Sequence, residues 1–93
     1  MDVEKIVSDG DIIRIHIKTE ISPISASLSL KQFQEQFPYP SLIRINKSTI
    51  INLLKIDKFN YNHVWIKNKA ISIGEKYKKD FFSNVKILKT GWK

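Results

Sequence analysis

A mainly β fold with two short helices is the architecture that these 93 residues predict. Three observations predict it. Ile13, Ile15 and Ile17 alternate with Arg14, His16 and Lys18. Short isoleucine-rich segments between residues 42 and 73 are separated by asparagine-bearing turns. After Lys76 the apolar period becomes helical. A chain of this length buries roughly two-thirds of the surface its unfolded form exposes, which suits one domain over residues 1–93 and leaves no room for a second independent core.

The elements follow in order. Val3 to Val7 reads as a strand, and Ser8-Asp9-Gly10-Asp11 as a turn in which Gly10 supplies a positive φ. The alternating run after it is a strand with one wet face, so the two strands form a hairpin. Ile21 to Ser25 is a third strand, and Pro23, which cannot donate a ladder bond, sends it to an edge or a bulge. Ser29 followed by Gln32 is a capping-box pattern; Leu30, Phe33 and Phe37 share a helical face, and Pro38 ends the helix. Strands are expected at Leu42 to Ile45, Ile50 to Leu54, Ile56 to Phe59, His63 to Ile66 and Ala70 to Ile73. Hairpin turns are expected at Asn60-Tyr61-Asn62 and Lys67-Asn68-Lys69. Tyr77, Phe81, Val85 and Leu88 then line one face of a closing amphipathic helix, with Lys76, Lys79 and Lys86 elsewhere on its surface.

Composition narrows the function. There is no cysteine, hence no disulfide framework or thiolate metal site, and two histidines, His16 and His63, do not make a four-ligand zinc site by themselves. No apolar run is long enough to span a bilayer, and Asp2 and Glu4 follow Met1 where a secretory signal would be basic, so a soluble, cytoplasmic protein is expected. The net charge of +7 is uneven: residues 1–43 carry four Lys/Arg and six Asp/Glu, residues 44–93 twelve and three, so −2 gives way to +9. The second half attracts polyanions, although lysine-rich surfaces also serve solubility.

Enzymatic readings find little support: Ser48 has no neighbouring histidine or nucleophile-elbow glycines, and there is neither a phosphate loop nor a dinucleotide fingerprint. His16 reads as a solvated surface residue and His63 as a structural one. Trp65, alternating with Val64 and Ile66, reads as a packing residue rather than a base-stacking one, and Trp92 in the tail is uninformative. The segment Leu42 to Ile56 is more telling, because two apolar segments flank the polar, cationic break Arg44-Ile45-Asn46-Lys47-Ser48-Thr49. Asn46 has the chemistry to pair with adenine, Lys47 to reach guanine acceptors or phosphate, and Ser48 to contact phosphate oxygens. The alternative is that Asn46 and Ser48 satisfy their own turn backbone. A second cationic cluster, Gly74-Glu75-Lys76-Tyr77-Lys78-Lys79, leads into the last helix, whose N-terminal amides favour anions.

Leu42-Ile43-Arg44-Ile45-Asn46-Lys47-Ser48-Thr49-Ile50-Ile51-Asn52 closely resembles the signature of LytTR-type DNA-binding domains: Phe-hydrophobic-Arg-hydrophobic-His-Arg/Lys-Ser-Tyr/Phe-hydrophobic-Val-Asn. The order of elements agrees over nearly the whole chain: the Ser-Asp-Gly-Asp turn, Ser27-Leu28 before a short helix, the signature, a strand pair, and Ile73-Gly74-Glu75-Lys76-Tyr77 before the last helix. The resemblance implies an elongated stack of small antiparallel sheets with two short helices, laying loops into successive major grooves at repeated sites, as an output domain of bacterial response regulators in two-component transcription regulation. By position it makes Asn46 and Lys47 base or phosphate readers and puts Ser48 on phosphate. Asp9, Gly10 and Asp11 fall at a second contacting loop, and Lys76, Lys78 and Lys79 near a third. Arg44 contacts DNA or, with Asn52, holds the loop.

Three departures from the signature stand out: Asn46 replaces the usual His, Thr49 the usual aromatic, and Gly74-Glu75 the usual Ser-Arg. No receiver domain is expected within these residues, so the chain reads as an excised output domain or a small stand-alone regulator, with a receiver domain or a second copy as candidate partners. No cofactor is expected. An RNA-binding β module and a protein-interaction module are the competing readings, and an enzyme is more distant.

Overall fold

The computed structural model describes residues 2–88 as two antiparallel sheets with two helices. Strands β1 (Val3–Asp9), β2 (Ile12–Ile17), β3 (Ile24–Ala26), β4 (Leu42–Asn46) and β5 (Thr49–Asn52) form the first sheet, in spatial order β3-β2-β1-β5-β4. Strands β6 (Lys58–Phe59), β7 (His63–Ile66) and β8 (Lys69–Ser72) form the second, in that order. Helix α1 (Leu30–Gln36) separates β3 from β4, and a 3₁₀ turn at Glu75–Tyr77 leads into helix α2 (Lys78–Leu88). The body measures 37 × 28 × 22 Å, elongated along one axis. No helix among the described residues is long and apolar enough to cross a membrane. The side chains of Lys86 and Leu88, and Trp92, lie outside the described residues.

At β4 and β5 the first sheet is covered on both faces, which explains the unbroken apolar run of these strands. On β5, Ile50 joins Ile6, Ile13, Leu30, Phe33 and Leu42 beneath α1. The next residue, Ile51, points the other way into a larger cluster with Ile43, Ile45, Val64, Ile73 and Phe81, formed with the second sheet and α2. Each such fully buried isoleucine contributes about 1.5–3 kcal/mol.

Local signals work as expected at several points. Ser29 Oγ accepts from Gln32 N–H at 3.0 Å while Gln32 Oε1 accepts from Ser29 N–H at 2.9 Å, so the capping box is complete. β3 is an edge strand and starts just after Pro23. The hairpin between β7 and β8 turns on Lys67 and Asn68 alone, with φ of 50° and 64°, as a two-residue loop with two left-handed residues requires. Lys69 is already in strand.

Other expectations are revised. The strand expected to run to Leu54 stops at Asn52. The buried Asn52 carboxamide donates to Val3 O at 2.7 Å and accepts from Leu54 N–H at 3.0 Å, bending the chain into a 3₁₀ turn at Leu53–Lys55. The strand expected from Ile56 to Phe59 shrinks to β6, because Ile56 turns into the core. Phe37, expected on the buried helical face, is the C-cap residue and is exposed. Trp65 is half-buried on the outer face of β7, with Lys58 Nζ 4.9 Å from its ring centroid and His63 beside it, while Val64 and Ile66 fill the core.

Candidate nucleic-acid interface

The tip joining β4 to β5 is a two-residue loop, Lys47-Ser48, between the paired residues Asn46 and Thr49. Neither loop residue has a positive φ, so the turn lacks the geometry that best matches strand twist. Side chains supply the missing support. Asn46 Oδ1 accepts from Ser48 N–H at 2.9 Å and from Ser48 Oγ at 3.3 Å, closing an Asx turn. Arg44 Nε donates to Asn46 O at 3.1 Å, and its NH2 group donates to Lys47 O. Lys47 and Ser48 are both exposed, and the Lys47 ammonium has no partner among the described residues.

The same hairpin is bolted to the segment before α2. The β4–β5 register shifts between Arg44 and Asn46, a bulge that takes Ile45 out of the ladder, and Ile45 O accepts instead from Gly74 N–H at 2.9 Å. Asn46 Nδ2 donates to Ser72 O at 2.9 Å. The Arg44 guanidinium carbon lies 6.0 Å from the Tyr77 ring centroid. A side chain at Gly74 would bring a Cβ within 3.1 Å of Tyr77 Cδ2 and 3.6 Å of Asn46 Cα. The approach of these two segments is therefore close, and two departures from the signature, Asn46 and Gly74, lie against each other. A cleft of about 550 Å³ results, lined by Asn46, Lys47, Gly74, Glu75, Lys76 and Tyr77.

A third loop sits at the same end. β1 and β5 are antiparallel neighbours with Val7 opposite Thr49, and Ser8 N–H donates to Ser48 O at 2.8 Å. The turn after β1, with Gly10 at φ 65°, thus stands beside the Lys47-Ser48 tip. Asp9 is ion-paired with Arg14, while Asp11 is exposed. Arg14 is a cation of this corner that sequence reasoning left out; the signal was its alternation with Ile13 and Ile15, which puts it on the outer face two to three residues from the turn. Farther along β2, His16 is the cross-strand partner of Lys5. Burial lowers the His16 pKa below 6.5, and the charges of Lys5, Lys69 and Arg14 push in the same direction against Glu4.

Asp9, Gly10, Asp11, Arg44, Asn46, Lys47, Ser48 and Lys76 are gathered by these contacts. Lys76 and Lys79 are exposed, without partners among the described residues. Two of the candidate residues are engaged within the fold, Asn46 as the turn-bracing alternative had it and Lys78 in the interior. Asn46 does not hold a free carboxamide toward solvent: both ends are engaged, on Ser72 and on Ser48, because a loop without glycine needs that brace. Lys78 is drawn inward, with 8% of its side chain exposed. Its ammonium is 2.5 Å from Glu75 Oε2 and 2.9 Å from Asn62 Oδ1, and lies 4.0 Å from the Tyr61 ring centroid.

Comparison with known proteins gives this arrangement a context. The family model for the LytTr DNA-binding domain matches residues 1–86. The chain belongs to the LytTR DNA-binding domain family. Among solved structures it is similar to the LytTr DNA-binding domain of a Bacillus cereus protein described as a methyl-accepting/DNA response regulator. The TM-score is 0.76 and the identity 17%, with 90% of this chain and 81% of that chain covered, a likeness of fold. No curated protein matches the chain significantly. In this LytTR domain residues 42–52 form β4, the Lys47-Ser48 tip and β5, and residues 74–77 form the other wall of the cleft.

Proposed function

We propose that this LytTR domain binds double-stranded DNA sequence-specifically, inserting its clustered loops into successive major grooves as the output module of a bacterial transcription regulator in the cytoplasm. One observation carries the reading: in a chain of a DNA-binding family, Lys47 stands without a partner among the described residues at a braced hairpin tip, in a cleft that Lys76 also lines. A tip held by five side-chain hydrogen bonds loses little conformational entropy on docking, so more of the contact energy goes into affinity.

Roles divide accordingly. Lys47 reaches base acceptors or phosphate, Ser48 and Lys79 contact phosphate, and Lys76 supplies the cation of the second wall. Arg14 screens Asp9 so that the turn at Gly10 and Asp11 can approach the backbone. Arg44 and Asn46 act from behind by holding the tip. Repeated target sites, and a receiver domain or a second copy as partner, belong to the same proposal.

Selection from random duplexes, followed by affinity measured over a range of salt, tests it. About five phosphate contacts give a log-log slope of about −4 to −5. A slope near zero, or stronger competition by single-stranded RNA than by the selected duplex, refutes it.

A further inference from the structure

We infer that Glu75 is a base-reading residue selective for cytosine, held in reading position by the buried end of Lys78. The inference rests on the DNA-binding reading above and adds a specificity determinant where the family signature has a cation.

A carboxylate on a phosphate-binding face is at first sight only a penalty, since it repels the backbone. Its surroundings here change that balance. Glu75 Oε2 is 2.5 Å from Lys78 Nζ, and the two side chains differ sharply in exposure, 83% for Glu75 against 8% for Lys78. The ammonium is itself fixed by Asn62 Oδ1 at 2.9 Å and by the Tyr61 ring, with the centroid 4.0 Å away. Taking an ammonium out of water costs several kcal/mol unless it is well partnered. In this chain the three partners come from the turn before β7 and from Glu75, so one end of an outward-pointing glutamate is locked from below. Its other oxygen has no partner among the described residues.

Glu75 lines the cleft together with Lys47 and Lys76. The two cations that share this cleft offset the repulsion between the carboxylate and phosphate. The chemistry of the major-groove edge then selects the base. Guanine and thymine present only acceptors to a carboxylate there, and the amino group of adenine sits beside the N7 acceptor. Cytosine N4 is a donor that a carboxylate accepts from.

Selections from a random duplex library with the wild-type chain and with Glu75→Ala and Glu75→Gln test the inference, backed by affinities for duplexes changed at one pair. The wild type is expected to enrich a site containing a cytosine whose replacement weakens binding about 10-fold. Glu75→Ala is expected to accept any base there, and Glu75→Gln to move the preference toward adenine, whose N6 and N7 suit a carboxamide. An unchanged site in both variants, with Glu75→Ala binding every duplex more tightly, shows that the carboxylate only repels and overturns the inference while leaving DNA reading intact. A wild-type selection that enriches no site overturns both.

Discussion

Asn46 Nδ2 donates to Ser72 O at 2.9 Å while the same side chain accepts from Ser48 N–H, so one carboxamide shapes the hairpin tip and ties it to the wall opposite. Ser72 is 26 positions away in sequence, the last residue of β8. Removing the group frees a loop that has no glycine and no positive φ to define it. Asn46→Ala is expected to cost about 1–2 kcal/mol of stability, measurable by urea unfolding. Amide exchange at Ser48 and Gly74 should accelerate in the same variant, since both N–H groups lie in the joint it secures. Unchanged exchange at both sites would show that Asn46 is dispensable to the joint.

Lys47 carries the opposite expectation, because its ammonium has no partner among the described residues. Lys47→Ala should unfold like the wild type yet bind duplex DNA less tightly. A lost phosphate contact lowers the salt slope by about one and weakens all sequences alike, whereas a lost base contact costs about 1–3 kcal/mol on the selected site only. Titrations of the selected and a scrambled duplex at several salt concentrations distinguish the two, and equal affinity on both duplexes for variant and wild type refutes any contact.

Lys78 looks like its neighbours in the sequence and behaves differently in the fold. Lys78→Met replaces a buried cation by an apolar side chain of similar length, and its partner Glu75 is exposed enough to rehydrate. Stability should therefore change by less than about 1 kcal/mol, in line with the small net worth of such pairs. The salt slope on non-specific DNA should stay within experimental error, whereas Lys79→Ala lowers it. A fall of about one in the slope of Lys78→Met would mean that the side chain leaves its pocket to reach phosphate.

These variants also mark where sequence reading succeeds. Local chemistry is legible: the Ser29–Gln32 box, the edge strand after Pro23 and the left-handed turn at Asn68 each depend on residues within a few positions of one another. The alternation of Ile13 with Arg14 and the apolar run around Ile50 and Ile51 identify a one-faced and a two-faced strand by their periods. What the sequence conceals are partnerships across the fold. Asn46 advertises the same donors and acceptors whether it reads a base or a backbone, and only Ser72 decides. Lys78 joins a row of lysines until Asn62, 16 residues earlier, takes its ammonium. Asn52 shows how one buried amide ends a strand that isoleucine content alone would extend.

Gly74 tests the joint from its other side. Its φ of −68° is open to any residue, so the glycine is there for space, not for backbone freedom. A Cβ would press on Tyr77 at 3.1 Å, and Tyr77 in turn lies under Arg44, which braces the tip. The ring is half-buried and able to shift, so Gly74→Ala should cost about 1 kcal/mol, the low end of overpacking. DNA affinity should fall further than stability does, because displacement of Tyr77 reaches Lys47 through Arg44. A variant as tight on the selected duplex as the wild type would show that the wall and the tip act independently.

The last expectation concerns pH. His16 sits opposite Lys5 on β1, and burial together with Lys5 and Lys69 keeps its pKa below 6.5 in the fold. The unfolded chain, with an ordinary imidazole, binds more protons over that interval. This contribution to stability is therefore full above 6.5 and declines as the pH falls toward the folded-state pKa. His16→Gln keeps a polar side chain on the outer face and removes the titration, so its unfolding free energy should fall less than that of the wild type between about pH 7.5 and about pH 5.5. Parallel pH profiles for the two proteins would place the source of any acid sensitivity elsewhere.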